Sequence, residues 1–375
     1  MDQPPNRRKS RRIFLGGVAV GDSAPITVQS MTNTPTADVA ATVSQIQHLE
    51  SAGCEIIRVA VPDQPSAKAI AAIKRQIHIP IVADVHFDHQ LALAAAQSGA
   101  DGLRINPGNI GGTAKVRAVV DCAQDLGLPI RIGVNGGSLE KDLLHRYNGA
   151  TAAAMVESAL RHINILEKAA FHRIKVSLKA SDVPRTVEAY RLLAERIDYP
   201  LHVGITEAGS LYAGIVKSAL GIGMLLSEGI GDTLRVSLTR DPAEEVRVGF
   251  EILKALGIRQ RGPDIISCPT CGRCDIDLIA VVAQVDKALL TCTAPVKLAI
   301  MGCVVNGPGE AREADIGVAG GKGHGILFKK GEVVRKVPQD QLVKVLLDEV
   351  DQWDRQYKML NKPGKDQRDR HDQTR

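Results

Sequence analysis

Apolar residues along this chain fall first into short runs rich in Ile and Val, separated by longer stretches in which they recur every three or four positions. The short runs predict strands over 26–31, 56–61, 81–85, 102–106, 130–134, 174–179, 201–206 and 233–238. Between them the helical period predicts crossover helices, among them 66–76, 90–98 and 183–195. Strands alternating with helices in this way pair in parallel, and eight such units in roughly 250 residues have the size of a (β/α)8 TIM-type barrel. A doubly wound sheet is the alternative, disfavoured because no early strand leads into G-x-G-x-x-G. The apolar stretch 211–226 is interrupted by Lys217 and reads as a helix with one buried face, not a membrane span.

After about residue 255 the pattern changes. Residues 257–263 read as a linker, followed by a helix over 277–290, strands over 296–301 and 316–319, a hairpin over 326–336 turning at Lys330-Gly331, and a helix over 339–353. We therefore expect a barrel domain over 10–255 and a smaller α+β domain over 264–355. The polar stretches 1–9 and 356–375 are expected to be solvated tails.

A barrel locates its own chemistry, because active sites lie where the strands end at the C-terminal face. Polar residues stand at those places: Arg58 in the second strand, Asp84 and His86 closing the third, Arg104 and Asn106 on the fourth, Arg131 and Asn135 on the fifth. Lys179 ends the sixth, His202 and Glu207 belong to the seventh, and Arg235 and Ser237 to the eighth. Arginine inside an apolar strand is costly to bury without an anion. Several cations converging on one mouth point to a ligand with several negative charges, such as a diphosphate. The competing explanation is internal pairing with Asp84, Asp182 and Glu207. The glycine-rich loops 106–112 and 133–138 allow backbone N–H groups to approach phosphate oxygens. Glu207 is the preferred proton-handling candidate, with His86 and His202 behind it.

The second domain carries a different chemistry. Cys268, Cys271 and Cys274 form a C-x-x-C-x-x-C run, answered by Cys303 before the turn-rich stretch 304–310. Thiolates two residues apart turn toward one site, and a ligand from distant sequence closes it, which fits zinc or an iron–sulfur cluster. Cys54 and Cys122 lie in apolar patterns and read as buried structural residues.

Composition narrows the class. The hydrophobic fraction of 44% supports a large core, and aromatics at 3% argue against stacking platforms for single-stranded nucleic acid. The formal charge of +5 is modest, and part of it lies in 7–12, read as a solvated tail rather than a nucleic-acid arm. With no secretory leader and no membrane-spanning run recognised, a cytoplasmic protein with no nucleic-acid or membrane partner is expected.

Taken together, Gln29-Ser30-Met31-Thr32-Asn33-Thr34, Arg104-Ile105-Asn106-Pro107-Gly108-Asn109, Ser177-Leu178-Lys179-Ala180-Ser181-Asp182, Ile266-Ser267-Cys268-Pro269-Thr270-Cys271 and Gly302-Cys303-Val304-Val305-Asn306-Gly307-Pro308-Gly309-Glu310 resemble the hydroxymethylbutenyl diphosphate synthase family of the methylerythritol phosphate route to isoprenoids. The resemblance spans about residues 10 to 355 and is to the short bacterial form, with nothing inserted between the two domains. It implies a barrel followed by a ferredoxin-like iron–sulfur domain, in a homodimer where the cluster of one subunit caps the barrel of the other. It also implies an oxidoreductase that opens a cyclic diphosphate with two electrons from flavodoxin or ferredoxin. With the strand-end placement, the expected substrate contacts are Arg58, Arg104, Asn106, Arg131, Asn135, Lys179 and Ser237, and the expected catalytic groups are Asp84, His86 and Glu207, joined through the resemblance by Glu310. Cys268, Cys271, Cys303 and the replaceable ligand Glu310 would hold a [4Fe-4S] cluster. Cys274 departs from that pattern, since a fourth thiolate would close the cluster. A barrel enzyme with a structural zinc domain and a non-catalytic electron carrier remain as other classes.

Overall fold

The computed structural model describes residues 7–303, Gly309 and 312–360. The chain divides between Arg259 and Gln260 into two compact units. In the first, strands β3 (Thr27–Met31), β4 (Ile56–Ala60), β5 (Ile81–Asp84), β6 (Gly102–Ile105), β7 (Ile130–Asn135), β8 (Ile174–Lys179), β9 (His202–Val203) and β10 (Thr233–Leu234) follow β1 (Ile13–Leu15) and β2 (Val18–Val20). The eight strands from β3 on form one sheet in the order β8-β7-β6-β5-β4-β3-β10-β9, every neighbour parallel. A parallel bridge between Val176 and Leu201 joins β8 to β9 and closes the ring. The expected TIM-type barrel is therefore the observed one.

Alternation along the strands separates two environments. Ile130, Ile132 and Val134 on β7 and Ile174, Val176 and Leu178 on β8 join the apolar layer between sheet and helices. The intervening residues pair Arg131 with Lys175, Gly133 with Ser177 and Asn135 with Lys179, and so form a polar row on the other face of the sheet, inside the barrel. Helix starts are set by carboxylates: Asp63 accepts from Ser66 N–H and Pro65 sits in the first turn, so that helix begins at Gln64, earlier than its apolar period suggested.

β9 and β10 are only two residues long, against the six expected for each. One further bond, Arg235 N–H to the Val203 carbonyl at 3.0 Å, extends the pairing past β10, and by Leu238 the backbone N–H donates instead to Glu245 Oε1, 3.0 Å away on the helix Pro242–Ala255. The antiparallel pair β1–β2 was not foreseen. Its Ile13, Leu15 and Val20 pack on Ile56 and Val82 near the start of the barrel strands, and Gly102 is bare where Leu15 Cδ2 presses in.

The basic run 7–12 is not a free tail. Arg7 Nη2 pairs with the buried carboxylate of Asp232 at 2.7 Å, and Arg8 donates to the carbonyls of Ile197 and Tyr199. Arg11 pairs with Asp198, and Arg12 with Asp22, each at 2.8 Å.

The second unit is a mixed five-stranded sheet, β11 (Asp264–Ser267), β12 (Lys297–Met301), β13 (Ile316–Gly321), β14 (His324–Lys329) and β15 (Glu332–Pro338), in sequential order. The first three are parallel and the last three antiparallel. Lys330 and Gly331 turn the final hairpin with φ of 47° and 80°, the left-handed pair a two-residue type I′ turn needs. Helices Leu278–Ala288 and Leu342–Leu360 cover the sheet around Leu298, Ile300, Val318 and Leu346.

Candidate active site

The inward row at the C-terminal ends of the strands is cationic and nearly dry. Asp84, the last residue of β5, takes Arg104 Nη1 at 3.0 Å and Arg58 Nε at 3.4 Å. Burial pushes the Asp84 carboxyl up, but Arg58, Arg104 and Arg131 together outweigh it and hold it below the usual range. Arg58 also lies 3.1 Å from Met31 Sδ, and burial lowers its guanidinium to about 10. His86 receives Arg104 Nη1 at 3.1 Å on Nε2. Burial lowers the His86 pKa with help from Arg104, so the ring is a neutral acceptor at neutral pH.

Arg235, counted among the sequence candidates for the mouth, is fully engaged: Glu245 holds it bidentately at 3.0–3.2 Å and also accepts from Ser30. The alternative of pairing with Asp182 is not seen among the described residues; that carboxylate caps the helix Val183–Ala194.

Three cations have no carboxylate at ion-pair distance among the described residues. Arg131 is 3% exposed, and its Nε and Nη1 find no partner among the described residues. Lys179 is buried, and its recorded hydrogen bond is to His202 Nε2 at 3.2 Å, not to a carboxylate. Burial, reinforced by Arg131, pushes Lys179 well below its ordinary pKa. Lys175, unnoticed in the sequence reading, sits beside Arg131 in register, buried and with no hydrogen-bond partner for Nζ among the described residues. Its signal was available: Lys175, Ser177 and Lys179 alternate along one strand.

Asn135 and Glu207 line a pocket of about 420 Å³ with Gly136, Ser138, Ser181 and Arg185. Glu207 is exposed with φ of 51°, a left-handed backbone unusual for glutamate. Asn106 is half-buried and accepts Gly108 N–H at 3.1 Å, shaping its loop. Ser237 is half-buried just beyond β10.

In the second unit, β11 and β12 are parallel with Ser267 opposite Ile300, so Cys268 and Cys303 emerge at the same end of neighbouring strands. Gly302 N–H donates to Cys268 Sγ at 3.3 Å. Cys271 is exposed and Cys303 buried. Glu310 lies outside the described residues. Among the described residues no three His, Cys, Asp or Glu side chains gather as a single metal ion requires. A cluster asks for something else, one thiolate per iron, and the shared strand end with an N–H···S bond fits that donor set.

These features define a class, a TIM-type barrel with a cationic mouth followed by a thiol-bearing α+β unit. The sequence pattern of the GcpE TIM-barrel domain matches residues 10–250, and that of the GcpE protein C-terminal domain matches residues 264–352. The chain belongs to the GcpE family. It is 61% identical over 345 residues to the 4-hydroxy-3-methylbut-2-en-1-yl diphosphate synthase (flavodoxin) of Geobacter sulfurreducens, covering 92% of this chain and 98% of that one. The protein of the same name from Thermodesulfovibrio yellowstonii is 58% identical over 344 residues, covering 92% and 99%. Among solved structures, dihydropteroate synthase from Stenotrophomonas maltophilia is similar at 15% identity with a TM-score of 0.49, covering 66% of this chain and 97% of that one.

Proposed function

We propose that this chain opens 2-C-methyl-D-erythritol 2,4-cyclodiphosphate reductively to 4-hydroxy-3-methylbut-2-enyl diphosphate, a step of the methylerythritol phosphate route to isoprenoids. The electrons would come from flavodoxin, as the names of the relatives indicate. The observation that carries the reading is the buried guanidinium of Arg131, its Nε and Nη1 without a hydrogen-bond partner among the described residues, beside Lys179. Buried cations with no carboxylate in contact are costly unless a multiply charged anion arrives to compensate them.

In this reading Arg131 and Lys179 neutralise the diphosphate. Arg58 and Arg104, already aligned by Asp84, offer their remaining N–H groups to its oxygens. Asp84 therefore acts as an ionised anchor for arginines, not as an acid, and His86 steadies Arg104. Asn135 and the loop after β7 border the same mouth, with Asn106 and Ser237 as further polar contacts. Glu207, exposed to its pocket, is the residue free to hold or move a proton at a substrate oxygen. Cys268, Cys271 and Cys303, with Glu310 at the fourth iron, would hold a [4Fe-4S] cluster. When bound, that group supplies electrons and, at an iron without a thiolate, Lewis acidity. A homodimer would let the thiol-bearing unit of one chain serve the barrel of a second.

Protein purified without oxygen, supplied with reduced flavodoxin and the cyclodiphosphate, tests the reading. Formation of the linear diphosphate, lost in Arg131→Met with iron content unchanged, is expected. Absence of turnover in protein carrying about four irons and four sulfides per chain would overturn it.

A further inference from the structure

We propose that His202 is a positioning residue for Lys179: its Nε2 lone pair holds the Lys179 ammonium at the barrel mouth, and Thr233 fixes the tautomer that makes that lone pair available. The inference rests on the reading of Lys179 as a diphosphate ligand and names what holds that ligand in place.

The hydrogen-bond inventory assigns the roles. A lysine ammonium has three donors and no acceptor, so at 3.2 Å His202 Nε2 must be the acceptor. The ring proton then sits on Nδ1, which donates to Thr233 Oγ1 at 2.8 Å. The ring is fully buried, and Tyr190 O–H donates to the His202 carbonyl at 2.5 Å, which ties down its backbone. Space for the ammonium comes from Gly204, two residues on: a side-chain carbon there would fall 2.9 Å from Lys179 Nζ. The lysine is thus held by one acceptor over one bare glycine, with two donors left for an anion.

The surrounding charge explains why an acceptor is needed. Lys179 is faced by Arg131 on β7, Arg235 after β10 and Arg58 on β4, against the single carboxylate of Glu245, which Arg235 occupies. His202 is faced by Lys179 and Lys175 on β8, and by Arg131 and Arg58. Burial first, then these cations, keep the imidazole neutral and weaken the hold of Lys179 on its own proton. A hydrogen bond to the charged form raises that hold, so removing the lone pair lowers the lysine pKa further. Diphosphate binding should then fail at a lower pH.

The test is the pH dependence of KM for the cyclodiphosphate in anaerobic holoenzyme. His202→Ala is expected to raise KM about tenfold at neutral pH with a smaller change in kcat, and to shift the alkaline loss of binding to lower pH. His202→Gln, whose amide oxygen supplies an acceptor, should recover most of both effects. Adding His202→Ala to Lys179→Met should leave KM where Lys179→Met alone puts it. If His202→Ala does not fold, His202→Leu, close in volume and without an acceptor, takes its place. A wild-type pH profile in the acceptor-less variant, while Lys179→Met binds poorly, overturns the positioning role alone. A wild-type KM in Lys179→Met overturns the diphosphate site itself.

Discussion

Arg104 lies across Gly133 at the barrel mouth: a side-chain carbon built on that glycine would fall 2.6 Å from Arg104 Nε and 2.9 Å from Nη2. The glycine is required for the guanidinium, since its own backbone is ordinary extended strand on β7. Gly133→Ala should displace Arg104 from Asp84 and His86, lowering kcat/KM about tenfold or more while the melting temperature changes little. Unaltered kinetics would mean that Arg104 need not lie where it does.

The barrel and its cationic mouth were legible because both follow from residue order. Strand and helix periods repeat eight times, and the end of each strand is where the polar residues stand. What escaped reading depends on contacts between distant residues. Arg235 looked like Arg131 in the sequence, both cations beside apolar neighbours, yet Glu245 grips one bidentately, while among the described residues no carboxylate reaches ion-pair distance of the other, which feels Asp84 only through space. Nothing in periodicity announces that a carboxylate on the following helix turns inward. Likewise the arginines of 7–12 resemble a soluble tail until Asp198 and Asp232 are brought beneath them. The cysteines were read as candidate ligands from their spacing and Glu310 from the family resemblance, and the structure adds the common strand end of Cys268 and Cys303.

Arg131 sets function against stability. Among the described residues its buried Nε and Nη1 find no hydrogen-bond partner and no carboxylate reaches ion-pair distance, which costs the folded protein free energy that an apolar side chain of similar length would not. Arg131→Met should therefore be more stable without substrate, by about 1 kcal/mol or more, and should bind the diphosphate about a hundredfold more weakly. Denaturant midpoints beside KM values decide the matter. A destabilised variant would show that an internal partner compensates Arg131.

Asp232 anchors the N-terminal segment to the barrel. Its carboxylate accepts from Arg7 at 2.7 Å, Ser10 Oγ at 2.9 Å and Leu201 N–H at 2.7 Å, with Arg8 at 3.8 Å. Asp232→Ala takes the carboxylate from Arg7 Nη2 and from the buried Leu201 N–H, and removes the charge facing Arg8, which keeps the carbonyls of Ile197 and Tyr199; it should cost about 3–5 kcal/mol in equilibrium unfolding. Removal of residues 1–9 should cost a comparable amount, because the same carboxylate is then left with only Ser10 and Leu201. A loss under about 1 kcal/mol in both would show that the segment is only loosely attached.

The last prediction concerns the third cysteine of the run. Cys274 Sγ donates to the Ile276 carbonyl at 3.1 Å, whereas Cys268 Sγ accepts from Gly302 N–H at 3.3 Å. A sulfur that donates to a carbonyl spends its proton there, whereas a sulfur that accepts a backbone N–H makes a bond that also suits a metal-bound cysteine. The buried Cys54 donates to the Ile56 carbonyl with the same two-residue offset and distance, so the Cys274 arrangement is that of a structural cysteine in this very chain. Cys274→Ser, whose hydroxyl can make the same bond, should therefore retain about four irons and four sulfides per chain and most of the activity. Cys268→Ser, Cys271→Ser and Cys303→Ser should lose both. Glu310→Gln should keep iron and mainly lose turnover, because a carboxylate at the fourth iron is displaced by substrate oxygen more readily than a thiolate would be. Loss of iron in Cys274→Ser, together with full activity in Glu310→Gln, would move the fourth ligand to Cys274 and leave no iron open to the substrate.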